Sequence, residues 1–141
     1  MEVNYLTNGP VSQRVITQLI DKIGGKTNSG GHMIFLGQVR ADDINGKTVK
    51  AIEYSAYAEM VYIEVENIKK SIFSEFPDVK SVDIIHSTGI VKAGEISLLV
   101  LVSAGHRLQA IQACSKAVDL IKGNLPVWKK EIFNDDSHLW K

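Results

Sequence analysis

Apolar residues at three- and four-residue spacing predict three helices in this chain. The first has its stripe between Val15 and Ile23 and ends at Gly24-Gly25, and Pro10 suits its first turn because proline lacks the amide hydrogen that would be unpaired there. A second helix is predicted by a stripe that stops before Pro77: Val61, Val65, Ile68, Ile72 and Phe76. A third is predicted from about Arg107 to Lys122, followed by Gly123 as a left-handed residue, with this stripe: Leu108, Ile111, Cys114 or Ser115, Val118 and Ile121.

Five extended segments lie between and after these helices. They cover residues 33–39 with an interruption at Gly37, then 48–54, 79–87, 96–102 and 126–133. Residues 96–102 are almost wholly apolar, which is typical of a central strand covered on both faces. Gly89 and Gly94 bracket a predicted turn. The order α-β-β-α-β-β-α-β favours an α+β two-layer domain over a doubly wound sheet.

Composition is that of an ordinary globular domain. The chain has 141 residues, 45% of them hydrophobic and 23% charged, which fits one domain over residues 1–141. Sixteen basic and 16 acidic side chains leave no net charge, so non-specific binding to nucleic acid or membranes is not implied. Cys114 is the single cysteine, Met1-Glu2-Val3-Asn4 lacks the pattern of a signal peptide, and residues 96–102 are too few to span a bilayer. We therefore expect a cytoplasmic protein.

The three arginines identify one candidate anion site. Arg14 lies on the polar face of the first helix, and Arg40 follows a strand. Arg107 follows His106 where the most apolar strand passes into a helix, and a helix start offers unpaired N–H groups and a positive dipole end. The alternative is that Arg107 binds a neighbouring carbonyl and His106 packs. From position, both interpretations stay open.

Lys122 and Lys129 form the second candidate. Lys122 leaves the last helix at the edge of its apolar stripe, where it is either partly desolvated or simply answers the helix dipole. Strand alternation directs Lys129 and Glu131 to one face and Lys130 to the other. From the residues, solvated lysines are the favoured interpretation. If the two lysines share a pocket, their repulsion lowers the pKa of at least one.

The remaining ionisable residues point to no further site. His32 and His86 are interpreted as strand residues with satisfied partners. Cys114 is interpreted as an unreactive packing residue. No spacing of His, Cys, Asp and Glu along the sequence resembles a metal site, and none is predicted.

Four segments, in order, resemble the large, catalytic subunit of molybdopterin synthase, the MoaE family. They are Phe35–Arg40, Glu53–Tyr57, Ser103–Arg107 and Leu125–Glu131, and the resemblance covers about residues 31–140. It implies an α+β fold with an antiparallel or mixed sheet and a β-hammerhead. It also implies a homodimer that carries a small subunit at each end, which makes a heterotetramer.

The resemblance also implies a reaction. The small subunit is a ubiquitin-like protein whose C-terminal Gly-Gly carries a thiocarboxylate, and the enzyme is a sulfurtransferase. It moves two sulfurs to cyclic pyranopterin monophosphate (precursor Z), which makes the dithiolene of molybdopterin in molybdenum cofactor biosynthesis, without a cofactor of its own. The implied catalytic residues are Lys122 and Lys129. The implied substrate-binding residues are Gln38, Val39, Arg40, His106, Arg107, Lys122, Lys129, Lys130 and Glu131.

Helix length adds one inference about this site. His106 and Lys122 are separated by a largely helical segment of about 24 Å at 1.5 Å per residue, so one pterin cannot reach both ends. We therefore expect a composite pocket, in which His106 and Arg107 of one protomer meet Lys122 and Lys129 of the other. Two departures from the family pattern are Gly105, inserted before His106, and Lys130, where arginine is common.

Two other functional classes remain open. One is a non-catalytic, anion-binding scaffold subunit of the same fold, against which the pair Lys122 and Lys129 argues. The other is a small-molecule-binding regulator of ferredoxin-like type, which would have no affinity for a Gly-Gly tail.

Overall fold

The computed structural model describes residues 4–141. Met1, Glu2 and Val3 lie outside the described residues. They are the first residues of the expected domain and belong to the segment that is expected not to be a signal peptide. The helices are α1 (Gln13–Gly24), α2 (Ala58–Glu75) and α3 (Arg107–Asn124). The strands are β1 (Leu6–Asn8), β2 (Gly31–Gln38), β3 (Asp43–Ile44), β4 (Lys47–Ala56), β5 (Val79–Lys92), β6 (Ile96–Ala104), β7 (Val127–Phe133) and β8 (His138–Trp140). No described helix has the length and apolar character needed to cross a membrane.

The strands form one mixed sheet in the order β2-β6-β5-β4-β7-β8, with β1 added to β5 and β3 to β4. All pairings are antiparallel except that of β1 with β5. The predicted α+β class is confirmed. The short strands β1, β3 and β8 were not predicted, because two- and three-residue segments carry no detectable alternation.

Strand β6 is central, as its apolar run predicts. Leu98, Val100 and Val102 pack with α2 and α3 on one face of the sheet. Leu99 and Leu101 pack beneath α1 on the other face. The predicted stripe of α2 is also confirmed, since four of its residues are buried between the helix and the sheet: Val61, Val65, Ile68 and Ile72.

Strand β5 does not stop at the predicted turn. Its first part pairs with β6, and its last residues pair with β4 as far as Lys92. Gly89 has φ +78° and lies against the Asn8 side chain, so it bends the strand without ending it. The prediction of a turn beginning at Gly89 is therefore wrong, and the chain reverses only around Gly94.

Two predictions about helix ends are wrong, and the stripe predicted for α3 is confirmed only in part. Helix α1 begins after Ser12, whose Oγ accepts a hydrogen bond from the Val15 N–H at 3.2 Å, so Pro10 precedes the helix. Gly123 is an ordinary helical residue inside α3. The stripe predicted for α3 favoured large apolar residues, but Leu108 is 63% exposed. The face packed on the sheet consists mostly of small side chains, which allow a close approach: Ala110, Ala113, Cys114, Ala117 and Ile121.

Candidate active site

A cavity of about 420 Å³ opens where the end of β2, the end of α3 and the strands β4, β5 and β7 meet. We call it the lysine pocket and define it by six residues of its lining: Gln38, Arg40, Lys122, Lys129, Glu131 and Lys141. Val39 also contributes to the lining, although its side chain is buried in the core beside β4. The structure therefore brings together six of the residues implied by the resemblance: Gln38, Val39, Arg40, Lys122, Lys129 and Glu131.

The irregular end of β2 directs Gln38 and Arg40 into this pocket. The register with β6 shifts between Gly37 and Gln38, which is the interruption predicted at Gly37. Beyond the bulge, Val39 donates its N–H to the Glu95 carbonyl at 3.0 Å. The Arg40 side chain is exposed and lies 3.4 Å from Asp42, so its guanidinium remains accessible from the pocket.

Strand β7 separates its lysines by alternation, as the sequence predicts. Lys129 and Glu131 face the pocket, and Lys129 is half-buried. Lys130 is not part of the pocket lining. Its ammonium pairs with Glu53 at 3.0 Å and lies 5.4 Å from the centre of the Trp140 ring. Lys122 reaches the pocket from the last turn of α3, with its ammonium 5.9 Å from the centre of the Phe35 ring.

The pocket is electrostatically unusual at Lys129. Burial above all, and then the charges of Lys141 and Lys122, lower the pKa of Lys129, while the Glu131 carboxylate opposes the shift. Glu131 is only 2% exposed, and one of its oxygens lies 3.6 Å from the Lys141 ammonium. Its other oxygen has no hydrogen-bond partner in residues 4–141. Lys122 is exposed, so the interpretation as a desolvated lysine fits Lys129 better.

Sequence reasoning did not assign Lys141, His86 or Tyr54 to this pocket. Lys141 joins it because β8 pairs with β7, and its backbone N–H donates to the Lys129 carbonyl at 2.9 Å. His86 and Tyr54 also contribute to the lining, and both side chains are buried. A usable signal for His86 existed, because it continues the buried register of Val82 and Ile84 along β5.

His106 and Arg107 lie at the opposite end of α3 and do not line the lysine pocket. The His106 N–H donates to Asp78 Oδ2 at 2.7 Å, and His106 Nδ1 lies 3.1 Å from the same oxygen. The Asp78 carboxylate therefore accepts the hydrogen bond of the His106 N–H, which was expected to bind an anionic ligand. The side chains of both residues remain exposed and available.

Two further groups of the described chain bear on the chemistry. Cys114 is buried, burial raises the pKa of its thiol, and it lies outside the lysine pocket. Within residues 4–141, no three His, Cys, Asp or Glu side chains are grouped closely enough to hold a metal ion.

This fold and this pocket define a class: an α+β protein that presents several cationic side chains, one of them half-buried, around one cavity. Comparison with known proteins gives the family. The profile of the family named "MoaE protein" matches residues 6–124. The molybdopterin synthase catalytic subunit of Dictyostelium discoideum is 40% identical over 122 residues, which are 85% of this chain and 77% of that protein. Its counterpart in Pyrococcus abyssi is 40% identical over 81% of this chain and 75% of that protein.

Solved structures agree with the sequence comparisons. The crystal structure of molybdopterin synthase from Staphylococcus aureus superposes with a TM-score of 0.87 at 27% identity and covers 100% of this chain and 98% of that chain. A complex of subunits 1 and 2 of the molybdopterin-converting factor from Helicobacter pylori shares the fold, with a TM-score of 0.82 at 19% identity and coverage of 99% and 90%. The chain belongs to the MoaE family, and with it to the sulfurtransferases of molybdenum cofactor biosynthesis.

Proposed function

We propose that this chain is the sulfur-transferring subunit of a molybdopterin synthase, with cyclic pyranopterin monophosphate as its substrate. The sulfur arrives as the C-terminal thiocarboxylate of a ubiquitin-like small subunit. The observation that carries the proposal is the lysine pocket, in which Lys122 and Lys129 share one cavity with Arg40 in a chain of this family. The two-subunit complex from Helicobacter pylori supports a partner of this kind.

The charges of the lysine pocket suit each part of that reaction. The cyclic phosphate is an anion, which Arg40 can hold by paired hydrogen bonds and the lysines by charge. Attack by sulfur and opening of the phosphate ring develop negative charge, which a fixed ammonium stabilises. Because its pKa is lowered, Lys129 gives up its proton more readily than an ordinary lysine, which suits it to proton exchange with the substrate.

A second copy of this chain completes the proposed site. No described strand pairs with the outer edge of β2, and Met33, Ile34 and Leu36 on that strand are partly exposed apolar residues. One end of β2 lines the lysine pocket, and its other end, at Gly31, lies against the backbone of Arg107. If two copies of β2 pair antiparallel, each pocket therefore receives Arg107 and His106 from the partner. This is the composite pocket that helix length predicts.

The decisive experiment replaces the two lysines separately. We expect Lys122→Ala and Lys129→Ala each to lower molybdopterin formation from thiocarboxylated small subunit by about 100-fold or more. Lys116→Ala, which removes an exposed lysine from α3 outside the pocket, is the matched control and should retain wild-type activity. Full product formation by both pocket variants would instead identify a non-catalytic scaffold subunit.

We also propose a domain organisation and a cellular location for this chain. The sequence is consistent with one domain over residues 1–141, because the core of the described part is shared between the sheet and all three helices. A cytoplasmic location is supported by the single, buried cysteine, which forms no disulfide within the chain. Fractionation of cells that express the native chain checks the location.

A further inference from the structure

Asp78 and His106 form a hydrogen-bonded pair that the proposed chemistry does not explain. Asp78 lies in the turn between α2 and β5, and His106 is the residue that precedes α3. Asp78 Oδ2 accepts a hydrogen bond from the His106 backbone N–H at 2.7 Å, and His106 Nδ1 lies 3.1 Å from the same oxygen. One carboxylate oxygen therefore contacts both the backbone and the ring of His106.

The backbone of Asp78 is held in place independently of its carboxylate. Its N–H donates to Gln109 Oε1 at 2.9 Å, and its carbonyl oxygen accepts a hydrogen bond from the Gly105 N–H at 3.0 Å. Gln109 belongs to the first turn of α3, and Gly105 precedes His106. Two further hydrogen bonds therefore fix Asp78 beside His106.

Gly105, which departs from the family pattern, makes room for this carboxylate. A Cβ on Gly105 would clash with Asp78 Oδ1. On the other side of the segment, a Cβ on Gly30 would clash with the Gly105 carbonyl oxygen. The segment before α3 is thus confined on two sides, and the glycine allows the Asp78 carboxylate to approach His106.

The pairing determines which ring nitrogen of His106 carries a proton. Partial burial raises the pKa of Asp78, but hydrogen bonds from His106 outweigh it and lower the pKa below 3.8, so the carboxylate is ionised at pH 7. An ionised carboxylate accepts hydrogen bonds and donates none. Nδ1 is therefore the protonated nitrogen, and it donates to Asp78 Oδ2.

The second ring nitrogen of His106 is left for a ligand. The side chain is 90% exposed, and within residues 4–141 no hydrogen bond to Nε2 is found. Nδ1 and Nε2 lie on different edges of the imidazole, so a ring whose Nδ1 is directed at Asp78 turns Nε2 away from it. An exposed ring without such a partner rotates freely, and this freedom is lost when a ligand binds.

We propose that Asp78 is a positioning residue for His106: its carboxylate keeps a proton on Nδ1 and presents Nε2 to the substrate in the lysine pocket of the partner chain. The orientation of the ring depends only on contacts within one chain. Its effect on turnover rests on the proposed function, in which His106 enters the partner's pocket.

The first test measures the protonated nitrogen of His106 in the full chain by NMR of the ring nitrogens, without substrate or small subunit. Asp78→Ala removes the acceptor. Asp78→Asn keeps an oxygen in its place, because the His106 backbone N–H still requires an acceptor there. Asp21→Ala, which removes an exposed carboxylate from α1, is the matched control, and the exposed ring of His138 is the internal reference.

The spectra are compared at basic pH, where the ring signals no longer change with pH. We expect wild-type His106 to be in the Nδ1–H form. In Asp78→Ala the nitrogen shifts of His106 should approach those of His138. Asp78→Asn and Asp21→Ala should both retain the Nδ1–H form.

Turnover provides the second test. Asp78→Ala should lower kcat/KM for molybdopterin formation about tenfold, and Asp78→Asn should stay within about threefold of the wild type. In a His106→Ala chain, the further change Asp78→Ala should alter kcat/KM by less than about twofold, because no ring is left to orient. A merely structural role of Asp78 would persist in that chain, since its hydrogen bond to the backbone N–H remains.

A wild-type His106 in the Nε2–H form overturns the proposal, and so does a folded Asp78→Ala chain that keeps the Nδ1–H form. Equal losses of kcat/KM from Asp78→Ala with and without the His106 ring also overturn it. Where Asp78→Ala does not fold, the wild type and Asp78→Asn decide: the Nδ1–H form in both supports the proposal, and its absence from either overturns it. A wild-type chain that makes no molybdopterin would overturn the proposed function, while NMR would still decide whether Asp78 orients His106.

Discussion

Arg107 and Lys122 lie near opposite ends of α3, and only Lys122 lines the lysine pocket. Fifteen residues of helix separate them by about 22 Å. A site that needs both residues is therefore not completed within one described chain. The exposed edge of β2 runs between these two regions, which makes pairing of two β2 strands the simplest way to join them.

Glu131 sets the charge balance of the lysine pocket. Its buried carboxylate is the negative charge that opposes the lowering of the Lys129 pKa by burial and by two neighbouring ammonium groups. We predict that Glu131→Gln, which keeps the shape but removes the charge, lowers the pKa of Lys129 further. Acetylation of Lys129 against pH should then reach its basic plateau at lower pH than in the wild type.

Glu53→Gln is the control for this prediction, because Glu53 pairs with Lys130 at 3.0 Å on the opposite face of β7. It should leave the acetylation profile of Lys129 unchanged. If both variants shift the profile equally, the effect belongs to the net charge of the protein and not to the pocket.

Asp78 should stabilise the start of α3 in a pH-dependent way. Partial burial by itself raises the pKa of Asp78, but hydrogen bonds from His106 outweigh it and lower the pKa below 3.8. A carboxyl whose pKa is lower in the folded state contributes stability above the unfolded pKa and loses it as the pH falls through the folded pKa. Asp78→Ala should therefore melt below the wild-type temperature at pH 7.

The difference in melting temperature should narrow as the pH falls from 3.8 through the lower folded-state pKa of Asp78, where the wild-type carboxylate becomes protonated. Asp119→Ala removes an exposed carboxylate from the surface of α3 and serves as the control. An Asp78→Ala deficit of equal size at both pH values would show that packing, and not the ionised carboxylate, supports the helix start.

Gly105 and Gly123 should respond oppositely to alanine. A Cβ on Gly105 would clash with the Asp78 carboxylate, so we expect Gly105→Ala to cost about 1–3 kcal/mol of unfolding free energy. Gly123 is helical and a Cβ there meets no atom within 4 Å, so Gly123→Ala should add about 0.5–1 kcal/mol. Urea unfolding of both variants measures the difference. Destabilisation by Gly123→Ala would mean that this residue needs the left-handed conformation after all.

The sequence predicts what depends on local spacing. The stripe of α2 and the apolar run of β6 follow from periodicity, and alternation correctly separates Lys130 from its neighbours on β7. His86 was interpreted as a satisfied strand residue because the pattern of one strand does not distinguish a core from a cavity. The distinction depends on the pairing of β5 with β4, and of β4 with β7, which brings distant segments together.

Side-chain size explains the error at α3. Leu108 and Ile111 are the larger apolar residues, yet alanines form most of the buried face. Hydrophobic patterns favour large residues, whereas close packing of a helix on a sheet favours small ones. Ile111 lines a shallow surface cavity together with Met33 and Ile34 of β2, the strand at which a second copy of the chain is proposed to bind.

The composite pocket predicts complementation between two inactive variants. In a heterodimer of Arg107→Ala and Lys129→Ala, a pocket shared between protomers has both changes in one site and leaves the other site intact. Each homodimer should be nearly inactive, and the purified heterodimer should regain about half of the wild-type rate of molybdopterin formation. The pairing of Lys122→Ala with Lys129→Ala is the matched control, because both lysines come from the same chain and neither site is intact. Absence of recovery in the first pair would mean that Arg107 does not enter the partner's lysine pocket. Recovery in the control pair would mean that Lys122 and Lys129 of one site do not come from the same chain.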